Sequence, residues 1–124
     1  MPWTNAELSE PPVIETTYTG MVSPKELVEA VKATTDWAAS TGKHQLLGDC
    51  RELTGGHSLF DLYAVVEELD RAGLGRNLRE AILVPGTTMP AEMTRFWETA
   101  CCNRGLKVRV FSDRAEALKW LEAD

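Results

Sequence analysis

Four times along this chain of 124 residues, a short β-branched or apolar run gives way to a helix start and then to apolar residues at helical spacing. No other feature of the sequence restricts the fold so tightly. Strands separated by helices pair in parallel through right-handed crossovers, and four such units are too few to close a barrel. The chain is therefore expected to be an α/β protein with an open, mainly parallel sheet of four to five strands.

Residues 1–12 read as an N-terminal arm or edge strand, with Trp3 to Leu8 as the strand and Pro11-Pro12 as its end, and residues 13–124 read as the α/β domain. Val13 to Thr19 is the first core strand, with Ile14, Thr16 and Tyr18 on one face and Gly20 ending it. Ser23, Pro24 and Glu26 form a capping box, followed by Leu27, Val28, Val31, Thr35 and Ala38 on one stripe and a stop at Gly42. Gln45 to Asp49 is the second core strand, and an eight-residue polar loop separates it from a second capping box at Ser58 and Asp61. Leu59, Leu62, Val65, Val66 and Leu69 make the apolar stripe of that helix, which Gly73 and Gly75 terminate. The run Glu80 to Pro85 reads as a central strand covered on both faces. The turn Gly86-Thr87-Thr88-Met89 then leads to Pro90 and a helix burying Met93, Phe96, Trp97, Ala100 and Cys101, capped by Gly105. Leu106 to Phe111 alternates like an edge strand, and Asp113 with Glu116 caps a last helix burying Ala117, Leu118 and Leu121. Strands laid down in sequential order place the main helices on one side. The other face then needs cover, from the arm or from a second copy in a homodimer.

A net charge of −6 and the lack of any Lys/Arg run argue against a nucleic-acid partner, because phosphate binding needs a basic surface. No apolar run approaches the roughly 20 residues of a membrane span, and the first dozen residues lack the pattern of a signal peptide. Cys50, Cys101 and Cys102 form no zinc-ligand spacing with His44 or His57. They are expected to be reduced thiols of a cytoplasmic protein, with Cys101 and Cys102 divided between core and rim. No metal site and no cofactor are expected.

Three segments carry a family resemblance over roughly Val13 to Leu121: LLGDCRELTGGHSLFDL, the strand AILVP, and the ending VRVFSDRAEALKWL. Together they resemble the SpoIIAA-like family, with the STAS-type fold of anti-sigma-factor antagonists. That resemblance implies a superhelix of βα units, in agreement with the periodicity. In the antagonists the loop after the second core strand reads Asp-Ser-Ser-Gly, and a serine in it is phosphorylated. Ser58 is the nearest match here, while His57 stands in place of the Asp, and Leu59 and Phe60 replace the following Ser and Gly.

The loop Arg51 to Ser58 lies where open α/β sheets bind ligands, so Asp49, Arg51, Thr54, His57 and Ser58 are the candidate residues for a regulatory protein partner or small ligand. A phosphate on Ser58 would meet free N–H groups at a helix N-terminus, although capping alone also selects Ser there. Thr54-Gly55-Gly56-His57 could cradle an anion or simply turn. Asp49, His57 and Ser58 have the residue types of a serine-hydrolase triad but no nucleophile-elbow pattern. Tyr63, Met93 and Trp97 could line a pocket for an apolar small molecule or lipid, and the same stripe serves helix packing. Cys50 beside Arg51 could carry a lowered thiol pKa. The expected function is non-enzymatic partner binding, with apolar-ligand carriage and hydrolysis as alternatives.

Overall fold

The computed structural model describes residues 2–9, 12–73, 78–84 and 88–122. Pro11, Gly75, Pro85 and the turn residues Gly86 and Thr87, with the side chains of Thr88, Met89 and Pro90, lie outside the described residues. Five strands and four helices follow one another as β1 (Trp3–Ser9), β2 (Pro12–Met21), α1 (Pro24–Thr41), β3 (Gln45–Gly55), α2 (Leu59–Ala72), β4 (Arg79–Leu83), α3 (Thr88–Cys102), β5 (Lys107–Phe111) and α4 (Arg114–Glu122). The strands lie in the sheet in chain order. β1 is antiparallel to β2, and β2 to β5 are parallel, so the sheet is mixed.

Local chemistry explains where the helices start. Ser23 accepts from the Glu26 N–H at 3.2 Å while the Glu26 carboxylate accepts from the Ser23 N–H at 2.9 Å, and Pro24 opens α1. Ser58 and Asp61 repeat this arrangement at α2. The stripes are narrower than the spacing predicts: Val28 on α1 and Leu59 on α2 are exposed rather than buried.

α1, α2 and α3 cover one face of the sheet. Their core joins Leu27, Leu62, Val66 and Cys101 to Cys50, Ile82 and Val108 of the strands, and Ala38 packs on Ile14 and Leu46. The opposite face is covered by α4, whose Ala117 and Leu121 are fully buried against Val13, Leu47, Ala81 and Leu83. The last helix, not expected there, folds back over this face, and Leu8 of β1 packs against the same cluster, so the arm supplies part of the cover. Gln45 Nε2 donates to the Leu121 carbonyl at 2.9 Å, and the Arg79 guanidinium lies 4.3 Å from the centre of the Trp120 ring, fixing α4 at its far end. On the other face, polar contacts hold β1 at the edge of the sheet. Asn5 accepts from Thr16 at 2.7 Å, Thr16 meets Thr34 of α1 at 3.1 Å, and Trp37 donates to Glu7.

β2 and β3 both run past their predicted ends. β2 continues through Gly20 to Met21, and its last residues pair with Glu52, Leu53 and Gly55 of β3 after a register shift. The predicted polar loop from Cys50 to His57 is therefore mostly strand, with Cys50 and Leu53 buried and Arg51, Glu52 and Thr54 outside. A distant segment supplies the ladder partner that makes this polar run extended. β4 is likewise displaced to Arg79–Leu83 from the expected Glu80–Pro85.

Candidate functional site

The five residues expected to form one loop site are distributed over three environments. Asp49 and Arg51 belong to the α4 face. Asp49 Oδ1 accepts from the Arg51 backbone N–H at 3.1 Å and from Nε at 3.0 Å, and Oδ2 accepts from Nη2 at 2.9 Å. These bonds, partly offset by burial, hold the Asp49 carboxyl below its usual range. Arg114 at the start of α4 pairs with Glu15 on the same face. Thr54 is exposed on β3.

His57 turns the other way, and its Nδ1–H donates to the Val22 carbonyl at 2.8 Å. Ser58 is the cap of α2. Its Oγ accepts from the Asp61 N–H at 3.1 Å and donates to Asp61 Oδ2 at 2.9 Å. Asp49, His57 and Ser58 thus each have a different partner, and the structure does not assemble them into a triad. The two glycines before His57 serve a close approach. Val22 N–H donates to the Gly55 carbonyl at 2.8 Å, and a Cβ on Gly56 would stand 2.5 Å from the Val22 backbone N and O.

Between the sheet and α1–α3 lies a cavity of about 60 Å³ whose walls include Met93 and Trp97, together with His57, Tyr18, Cys50 and Glu80. A second cavity of about 50 Å³ shares Tyr18, Glu80 and Trp97 with the first. Tyr63 is absent from both. It stands half-exposed on α2 with the Arg104 guanidinium 5.1 Å from its ring centre, and Arg104 also pairs with Glu67. Tyr18 occupies the aromatic position expected of Tyr63. His57 therefore connects the supposed loop site to the supposed apolar pocket.

Glu80 is the residue that sequence reasoning passed over. It lies one strand period before Ile82, on the face that α1–α3 cover, and Oε1 accepts from Trp97 Nε1 at 2.9 Å. Burial raises its pKa, with only the Trp97 bond opposing. Its position inside EAILVP, two residues from a core Ile, was the available signal. Burial also raises the Cys50 and Cys101 thiols, Glu80 adding to the shift in each, so the lowered pKa expected for Cys50 is corrected. Cys101 is buried and Cys102 exposed, the division expected of the pair. Among the described residues no three His, Cys, Asp or Glu side chains converge as a metal would need, and no helix is long and apolar enough to cross a membrane.

The model of one protein family, the SpoIIAA-like family, matches residues 13–122. Among solved structures, the chain is similar to an uncharacterised protein with a SpoIIAA-like fold from Shewanella loihica PV-4. The identity is 21%, the TM-score is 0.61, and the match covers 96% of this chain and 91% of that one. It is also similar to the anti-sigma factor antagonist SpoIIAA in its unphosphorylated form, at 13% identity and a TM-score of 0.59, over 98% of this chain and 99% of that one. These identities show a shared fold. No curated protein matches the chain.

Proposed function

The chain belongs to the SpoIIAA-like family, and from that premise we propose that it is a non-enzymatic domain that binds a regulatory protein through the end of the sheet where β2 and β3 hand over to α1 and α2. The observation that carries this reading is apolar surface left uncovered there. Phe60 is 79% exposed and Met21 66% exposed, and Leu59 at the start of α2 and Val28 in the second turn of α1 are exposed as well. Large apolar side chains gathered at one end of a fold mark an interaction surface more than a packing one. The anti-sigma factor antagonist among the similar structures supports the class of partner.

Ser58 lies exposed at the start of α2, next to Leu59 and Phe60 in the chain. A phosphate on it would add charge beside Phe60 and compete with Asp61 for the α2 N-terminus, so the same residue that caps the helix could govern docking. Arg51 and Asp49 are no longer part of this surface, while His57 and Ser58 remain next to it. Three unpaired cysteines support a reducing, cytoplasmic setting.

Affinity capture from the native organism with wild-type and Phe60→Glu protein tests the proposal. Loss of a specific partner with the charge substitution is the expected result, and an unchanged set of captured proteins rejects it. A second copy of the chain is another occupant of the same surface. Light scattering at micromolar concentration would show a homodimer that Phe60→Glu dissociates if self-association is its use.

A second reading, carriage of a small molecule, is favoured by the cavities around Trp97. They are lined mainly by apolar and aromatic side chains with a few polar groups, the makeup of small-molecule sites. A solvent extract of protein purified from its native source tests this, and an extract free of bound small molecules counts against it.

A further inference from the structure

We propose that the two cavities flanking Glu80 bind a primary ammonium ion carrying a short alkyl chain, with Glu80 as its counter-ion and Trp97 and Tyr18 as its walls. This rests on the second reading above, that the cavities hold a small molecule, and adds the chemistry of that molecule. Glu80 is a half-buried carboxylate of β4 that lines the space under α1–α3. Among the described residues its hydrogen-bond donor is Trp97 Nε1, which reaches Oε1. No lysine or arginine among them forms an ion pair with it, and Lys107, which lines the second cavity, does not reach the carboxylate. The titratable groups around it, Tyr18, Cys50 and Cys101, are all pushed up chiefly by burial, with the Glu80 charge adding to each. A lone carboxylate in such surroundings is costly unless a cation meets it.

The geometry leaves room for that cation. Glu80 pairs with Leu46 of β3, and Gly48, two residues on and opposite Ile82, carries no side chain; Glu80 Oε2 lies 3.6 Å from where a Cβ there would be. The Glu80 carboxylate thus lies over Gly48, and both residues line the first cavity. Trp97 and Tyr18 line both cavities, and aromatic faces attract ammonium groups. Leu27, Leu62, Ile82 and Met93 make much of the first cavity apolar, which suits an alkyl tail, while His57 and Thr94 are further polar side chains in its wall. A water needs roughly 10–15 Å³ of such space, so each cavity takes only about four or five groups of that size. A compact ammonium with a short chain fits that limit, whereas a branched guanidinium or a long acyl chain exceeds it.

Isothermal titration of the full chain at pH 7 with n-butylammonium, n-butanol and butyrate tests this. Because a hydrogen bond to a charged group outweighs one between neutral groups, the ammonium should bind about ten-fold more tightly than the alcohol, with butyrate weakest. Glu80→Gln retains an oxygen for Trp97 Nε1 and should abolish the preference for the ammonium. Alcohol bound as tightly as the ammonium overturns the proposal and leaves the carrier reading standing. No binding of any probe at millimolar concentration overturns both. A preference retained in Glu80→Gln places the ammonium elsewhere and also overturns it. The three probes on the unmutated chain decide the matter alone if the variant does not fold.

Discussion

Gly56 is a residue whose identity the backbone leaves little freedom to change. Its φ of +105° is a conformation that L side chains rarely adopt, and the Val22 backbone occupies the space a methyl would need. Gly56→Ala is therefore expected to cost about 2–3 kcal/mol or more, from strain and displaced packing together. A denaturation midpoint unchanged by this substitution would show that the β2 end yields freely. Ser58 acts more locally. Replacing it with Ala removes the cap of α2 and should cost about 1 kcal/mol, while Asp, itself a good cap, should hold stability near the starting value. A loss of partner binding in Ser58→Asp, with an unchanged melting temperature, would then report added charge and not unfolding.

At the scale of elements, what could be read from sequence is what is decided locally. Both capping boxes were legible because their hydrogen bonds close within three residues, at Ser23–Glu26 and Ser58–Asp61. The alternation of strands and helices gave the parallel architecture for the same reason. The end of β3 was not legible, because Arg51, Glu52 and Thr54 are polar and their extended state depends on Thr19 to Met21, some thirty residues away. The site suffered from that error directly: a loop gathers side chains on one side, whereas a strand sends Asp49 and Cys50 to opposite faces. Tyr63 lies on the border of the α2 stripe, and Arg104, after the end of α3, draws it outward. Nothing near Tyr63 in sequence carries that information. The return of α4 to the far face was equally hidden, since a helix after the last strand is constrained by no crossover. Its energetic role is testable through Leu121, which is fully buried. Leu121→Ala should cost about 2–5 kcal/mol and raise binding of a hydrophobic dye. A loss below about 1 kcal/mol would mean that α4 is a minor part of the core.

The molecule as a whole carries two opposed responses to pH. Asp49, Asp61, Glu26 and Glu67 have lowered pKa values, held down chiefly by hydrogen bonds from Arg51, Ser58, Ser23 and Arg104 respectively. Their contribution is present above the unfolded carboxyl range of about 4 and is lost as pH falls through the lowered folded values. Glu80 works in reverse. With its folded pKa raised, the native state keeps that proton longer than the unfolded chain does, so stability declines as pH climbs from about 4.3 through the raised value. Glu80→Gln should therefore melt higher than the unmutated chain at pH 7, with the difference shrinking toward pH 4. Melting curves of both proteins at the two pH values check this, and a difference that does not change with pH refutes a raised Glu80 pKa.

Strands that lie in the sheet in chain order also fix a timetable for synthesis. Each new βα unit emerging from a ribosome finds its pairing edge already made, and none has to thread between strands that have closed. α4 alone breaks this orderly growth. Until its residues emerge, Leu47, Ala81 and Leu83 face solvent on a sheet that is otherwise complete. A nascent chain arrested before Arg114 should accordingly recruit a holdase chaperone, and one extended past Glu122 should release it. The nine residues of the final helix are then what separates a folded domain from a client.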